Sequence, residues 1–580
     1  MLRSRRATLL LTRALVFGTA APALAVTALA LAGCQDESQP EYWVAKLSDN
    51  GWRPRAIKQI DQFYEDATTR SNGQTDAPEL KTLTEKTVVP LTSTYVEQYD
   101  TLDEKTRHRL IRLLAIMRDP RTEPALSKAM SEFAEKGRGG EDLKWAARAA
   151  ADLKLASVSD QLLAAFLKLR ADSEEGGPVY RDLNASLLAM ADKKWTKALI
   201  DKLEPPMELP GAGEQNKAKV TEFRNQQFWQ TTSAQLLGAI GDAAGVEPLL
   251  KVVLDPGKAN VQADAYVSLV KIGKPAVARA SQLISGADKD LVAFAAARAR
   301  KAANGAELLS SDAPHVRTAA IVLGTIGYPS AAPALINALQ DEKNEQNRAV
   351  ILRELTKLPP TAEIKQAFKS GYTGITADGV IPPGQAARPA LAEAATSFFD
   401  PELVPWLLQQ AAAAKKDNEA QSALLVAAIK LMTPDQVGAV NAAVDKYGSD
   451  IEKGAFSEAS SVLKACGKDV KCYFDAVTKS ANQSEKAQFV GIKAAYMLGI
   501  LGNEKVRDQL VSGIDPITNA AIRFTVAKVI DFLSPKGSTA AADQLQKVVD
   551  ANVKRGDQDK IAGDAPVKQV IYRIRSRTQA

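Results

Sequence analysis

The sequence predicts an all-α protein, an α/α superhelix of about a dozen stacked helical hairpins with essentially no strand. Three observations predict it. The segment Leu237-Gly238-Ala239-Ile240-Gly241 recurs as Leu323-Gly324-Thr325-Ile326-Gly327 and as Leu498-Gly499-Ile500-Leu501-Gly502. Each copy is followed, at matched positions, by an apolar set: Leu249, Leu250 and Val253, then Leu335, Ile336 and Leu339, then Leu510, Val511 and Ile514. Finally, 86 residues separate Gly241 from Gly327, twice 43, inside the roughly 40–47 residues of a two-helix repeat unit. No stretch shows the period of two that a half-buried strand requires.

Each element follows from that unit. The first helix carries apolar residues three and four apart, the closing glycine can take positive φ at its C-terminus, and the second helix repeats the apolar spacing. Weaker copies surround Leu113–Leu126 and Ala147–Phe166, and others fall at 187–203, 265–283, 351–368, 391–408, 424–444, 456–477 and 521–548. These segments resemble HEAT repeats, over most of residues 41–555. The resemblance implies a solenoid in which each hairpin packs only on its neighbours, with a concave face lined by the second helices. It implies binding of another macromolecule; some HEAT-like proteins are enzymes acting on bilins or alkylated bases, a reading the export signal described below argues against.

The chain is expected to divide into a signal peptide at 1–33, a tether at 34–40, irregular repeats at 41–220, regular repeats at 221–371, an inserted loop at 372–389, further repeats at 390–555 and a tail at 556–580. The inserted loop is rich in glycine and proline, and a loop of that length is either functional or disordered. The tail ends in Tyr572-Arg573-Ile574-Arg575-Ser576-Arg577 and is expected to fray.

The amino terminus reads as an export signal: basic residues Arg3, Arg5 and Arg6, then an uncharged apolar run from Ala14 to Ala32. The alternative is an uncleaved spanning anchor. The run ends in Leu31-Ala32-Gly33-Cys34, which resembles a bacterial lipobox. That resemblance implies cleavage before Cys34 and its acylation, with diacylglycerol and palmitate as the lipid class. Gln35 follows, and by the same resemblance the outer membrane is preferred over the inner, at its periplasmic face or displayed on the surface. Removing the four arginines of the leader leaves 70 basic against 68 acidic residues. A near-neutral chain lacks the cationic surface that phosphate-backbone binding demands, so no nucleic-acid partner is expected.

Cys466 and Cys472 then remain as a pair in an oxidising compartment, read as a disulfide in preference to two buried thiols or half a zinc site. The only histidines, His108 and His315, lack the partners of a triad or zinc site and read as solvated or capping. Asp242, Asp255, Asp341 and Asp515 sit at repeat turns and read as caps. Trp43, Trp52, Trp145, Trp195, Trp229 and Trp406 read mainly as rings filling gaps between irregular repeats, with interface anchoring as the alternative. No catalytic residue, cofactor or metal site is expected. The function expected is a membrane-anchored protein–protein interaction scaffold of the cell envelope, with an assembly factor binding glycan or lipid as the alternative.

Overall fold

The computed structural model describes residues 36–578, apart from 75, 171–175, 208–209, 211–215, 303–312, 383, 415–416 and 482–487. The described chain is α-helical throughout, with one pair of two-residue strands. Leu31, Ala32, Gly33 and Cys34, the expected cleavage and acylation segment, lie outside the described residues. No helix among the described residues is long and apolar enough to cross a membrane.

The chain forms two compact units, one comprising residues up to 130 together with 141–155, the other 131–140 together with 156–580. The division therefore falls near residue 155, whereas the loss of repeat regularity placed a boundary at 220. In the first unit, helices Pro40–Ala45, Arg53–Arg70, Pro78–Gln98 and Glu104–Met117 pack on one another. Their apolar stripes meet in a core of Trp43, Ile57, Ile60, Val88, Leu91, Leu110 and Leu114, all buried. Asp103 caps the last of these helices by accepting from the Thr106 N–H at 3.0 Å, which satisfies an amide that has no partner within the helix.

The second unit shows why the glycine motif recurs. Helix Lys217–Ile240 ends at Gly241 and helix Pro314–Ile326 at Gly327, both glycines left-handed with φ of 71° and 72°, a conformation that costs a residue with Cβ about 1–2 kcal/mol. A single 3-10 turn follows each, Ala243–Gly245 and Pro329–Ala331, and feeds the second helix, Val246–Leu254 or Ala332–Asp341. Asp242 and Asp255 cap such turns, accepting from Ala244 N at 3.0 Å and Gly257 N at 2.9 Å. Asp341 instead closes a helix, and Asp515 pairs with Arg555 at 2.8 Å. The motif's inner glycine has a separate use: a Cβ on Gly324 would sit 2.6 Å from the Glu354 Cβ, so the next first helix can approach only because none is there.

Two expectations are corrected here. First, the hairpins of this unit do not pack only on sequence neighbours. First helices follow one another in a circuit, Ala259–Ile272, Pro314–Ile326, Glu345–Leu355, Ala387–Ala395, Asn418–Leu431, Gln488–Leu501 and Ala520–Phe532, and helix Ala565–Arg577 closes it by packing on both Ala520–Phe532 and Ala259–Ile272. Helix Gln488–Leu501 is buried at every residue from Gly491 to Gly499, which is why it shows no amphipathic stripe. The first helices therefore form one continuous layer, and the terminal helix joins Ala520–Phe532 to Ala259–Ile272.

Second, the tail does not fray. Val567, Val570, Ile571 and Ile574 are buried on one stripe of helix Ala565–Arg577. The 372–389 insertion is likewise ordered: Val380–Ile381 pairs antiparallel with Gln385–Ala386, and Tyr372, Ile375 and Ile381 are buried.

Candidate functional site

The second unit carries a half-open cavity of about 280 Å³, lined from the end of Glu345–Leu355 and the turn after it, from Ala387–Ala395 and the turn that follows it, from Ala520–Phe532 and from the terminal helix. Its cations are Arg353, Lys357, Lys528, Arg573 and Arg577. They outnumber the carboxylates that answer them. Arg353 and Lys357 share Glu354, at 2.9 and 2.5 Å. Arg573 and Arg577 share Asp531, at 3.0 and 3.1 Å. Burial by itself would raise Asp531, but the two guanidiniums outweigh it and hold the carboxyl below the usual range.

The arginines are further committed to main-chain oxygens. Arg573 donates from Nη1 to Gly324 and Thr325, both at 2.8 Å, and from Nη2 to Lys357 at 2.6 Å. Arg577 donates from Nη1 to the carbonyls of Asp531 and Ser534 at 3.0 and 3.1 Å. Lys528 differs. Its ammonium lies 5.4 Å from the Phe524 ring centroid, and among the described residues no carboxylate lies within ion-pair distance of it. Desolvation by the walls brings it down to about 8, so most of it stays protonated at neutral pH.

The apolar wall is built around Phe399, whose backbone is left-handed at φ 49°. A bulky residue in that region is strained. Its ring is held 4.8 Å from Phe532 and 5.2 Å from Tyr496, and Gly499 makes room, since a Cβ there would meet the ring at 2.5 Å. Phe524, at the rim, is 46% exposed.

The first unit carries an open polar groove of about 370 Å³ lined by Lys58, Asp61, Glu65, Lys105, His108, Arg109, Arg112 and Trp145, among others. Arg112 donates to both Asp61 oxygens at 2.9 Å and to Glu65 at 2.9 Å. Desolvation raises the Asp61 carboxyl despite that pairing. His108, expected to be solvated or capping, instead lies with Nε2 3.3 Å from the fully buried Asp142. Tyr95 Oη and Arg107 Nε donate to the same carboxylate at 2.9 and 2.6 Å. Burial raises the Asp142 carboxyl. His315 is partly buried, and desolvation lowers it.

Cys466 closes helix Asp450–Cys466 and Cys472 opens the next; their Cα atoms are 5.3 Å apart and their sulfurs are joined. Trp43, Trp195 and Trp229 are buried, while Trp52, Trp145 and Trp406 keep part of their surface in solvent. No group of three or more His, Cys, Asp or Glu among the described residues is placed to hold a metal. Sequence reasoning missed Arg573 and Arg577 because a frayed tail gives them no partner, and Arg353, Lys357 and Lys528 because they meet only through tertiary packing. The signal was present: Val567, Val570, Ile571 and Ile574 have the three-and-four spacing of a packed helix.

Residues 316–341 match the family described as PBS lyase HEAT-like repeat. No curated protein matches the chain. Among solved structures, the chain is similar to Kap121p at 12% identity, with 88% of this chain and 67% of that one covered and a TM-score of 0.32. It is also similar to Kap121p bound to Nup53p, at 11% identity, with 92% and 68% covered and a TM-score of 0.34. A mutant Kap121p gives 12%, 92%, 69% and 0.32. The copy at 316–341 is thus matched by a HEAT-like repeat family, and the described chain around it is an all-α array of helical hairpins.

Proposed function

We propose that this protein is an envelope scaffold, acylated at Cys34 and held at a membrane, outer by preference, that binds a protein partner. The anchor rests on the order of basic residues, apolar run and Leu31-Ala32-Gly33-Cys34. The observation that carries the partner reading is Trp145, half-buried in the open groove of the first unit beside Arg109 and Arg112. Tryptophan and arginine dominate binding hot spots, because a large ring and a planar cation gain much from desolvation at little conformational cost. In this reading the open groove of the first unit, and not the concave face of the array, is the docking surface.

The test has two arms. Cys34→Ala is expected to move the protein from the membrane fraction to the soluble one; unchanged fractionation contradicts the anchor. A photo-crosslinking residue at position 145 is expected to give a discrete protein adduct in intact cells that Arg112→Ala abolishes. The same residue at Val553, exposed in the second unit, is expected to give none. Equal adducts from both positions contradict the groove.

A further inference from the structure

We propose that the cavity of the second unit is a binding site for a small amphiphilic monoanion, a short-chain carboxylate of the fatty-acid class. The proposal is independent of the anchor and of the groove in the first unit. It stands on three features of the cavity: charge, walls and size.

The charge is positive by construction. Two pairs of cations each share one carboxylate, and Lys528 has none within ion-pair distance among the described residues. A site of low dielectric that keeps a surplus of cations is stabilised by an anion, since the self-energy of unpaired buried charge is large. The donors select the kind of anion. Arg573 and Arg577, whose planar forks suit a phosphate, are spent on main-chain oxygens and on Asp531. The compact ammonium of Lys528 remains, and one point charge answers a single negative charge better than a dianion.

The rest of the lining is mostly apolar. Phe399, Phe532, Leu358 and Val570 belong to it, and the exposed ring of Phe524 stands beside Lys528 at the rim. Such a surface stabilises a hydrocarbon chain by removing its methylenes from water. The volume of about 280 Å³ lies just below the roughly 300–1,000 Å³ typical of small-molecule sites, which suits a single short chain. The strained φ of Phe399 fits the same reading, because strain of that kind persists where a side chain must be held against a ligand space.

The experiment is isothermal titration of sodium decanoate, below its micelle concentration, into the purified full chain carrying Cys34→Ser, which keeps it free of detergent. Decanoate is expected to bind saturably with one site. Lys528→Met is expected to weaken decanoate at least tenfold, and Lys528→Arg to stay within about threefold of the parent. Decanol is expected to bind the parent and Lys528→Met alike and more weakly than decanoate, and inorganic phosphate is expected not to compete. Thermal melting of each variant establishes that it is folded. Absence of decanoate binding, equal decanoate affinity for parent and Lys528→Met, decanol as tight as decanoate, or competition by phosphate would each overturn the proposal.

Discussion

Arg573, in the last helix, donates from Nη1 to the carbonyl oxygen of Gly324 at 2.8 Å, across 249 residues of sequence. The contact is possible because Gly324 and Thr325 lie in the last turn of helix Pro314–Ile326, where carbonyls have no amide left to accept from within the helix. A buried guanidinium therefore completes a helix end from the far side of the unit, and the same side chain reaches Asp531.

Replacing it with an apolar residue of similar length tests how much that closure is worth. Arg573→Met leaves three carbonyls without a donor and halves the pairing of Asp531. A loss of about 3–5 kcal/mol is expected, read from urea denaturation. Hydrogen exchange should show residues 565–577 losing protection first.

The close approach at the inner glycine of the repeat is tested by Gly324→Ala. Its added methyl would overlap Glu354, including that residue's Cα at 3.0 Å, and a destabilisation of about 1–3 kcal/mol is expected. Gly438, in helix Val437–Tyr447, has nothing within 4 Å of a Cβ. Gly438→Ala should instead stabilise by about 0.5–1 kcal/mol. Equal effects of the two substitutions on the melting temperature would contradict the packing argument.

Lys258 gives a dependence on pH. It is buried, donates to the carbonyls of Leu203 and Glu204, and desolvation brings it down to about 8. The unfolded chain holds that proton up to about 10.4, so between pH 8 and there the unfolded state binds more protons. Stability contributed by this group is therefore expected to rise with pH through that window, with a slope of at most about 1.4 kcal/mol per unit, and to be flat below it. Denaturation of the parent and of Lys258→Met from pH 7 to 10 should show a steeper slope in the parent, the variant keeping only what other buried lysines such as Lys528 contribute in the same window.

In the first unit, Asp142→Asn removes the charge that Arg107 and His108 face while keeping the shape. The partly buried guanidinium of Arg107 then loses its carboxylate partner, and a loss of about 2–3 kcal/mol is expected. Limited proteolysis should find cleavage sites newly opened in residues 40–130 of that variant, with the second unit still resistant.

Reduction of the Cys466–Cys472 bridge should matter less to the whole. The short loop it closes corresponds to about 2 kcal/mol of chain entropy. Cys466→Ser with Cys472→Ser is expected to lose protection mainly in the two helices that carry them, as hydrogen exchange would report.

Much of the local structure was legible in the residues. Gly241 and Gly327 mark helix ends because left-handed backbone favours glycine, whereas Gly502, closing the third copy, is not left-handed and corrects that expectation there; the apolar spacing after all three marks the second helix. Asp242 and Asp255 read as caps and are caps. Asp341 and Asp515 look the same in sequence and are not, because their partners come from helix geometry and from Arg555. His108 could not be placed from sequence: the carboxylate it faces, Asp142, lies 34 residues on and is buried only once two helices have packed.

By itself, the sequence determined the unit of this protein: helix, glycine, turn, helix, each specified by period and by backbone sterics within about 40 residues. Tertiary structure decided what the units add up to. Each hairpin is rotated a little from the last, and that accumulated rotation, written in no single segment, brings helix 565–577 onto helices 259–272 and 314–326. It forms the half-open cavity, makes buried groups of Arg573 and Arg577, and leaves Lys528 lining that cavity beside aromatic rings. Local interactions fix dihedral angles one residue at a time; only their sum over the whole unit fixes which distant surfaces meet.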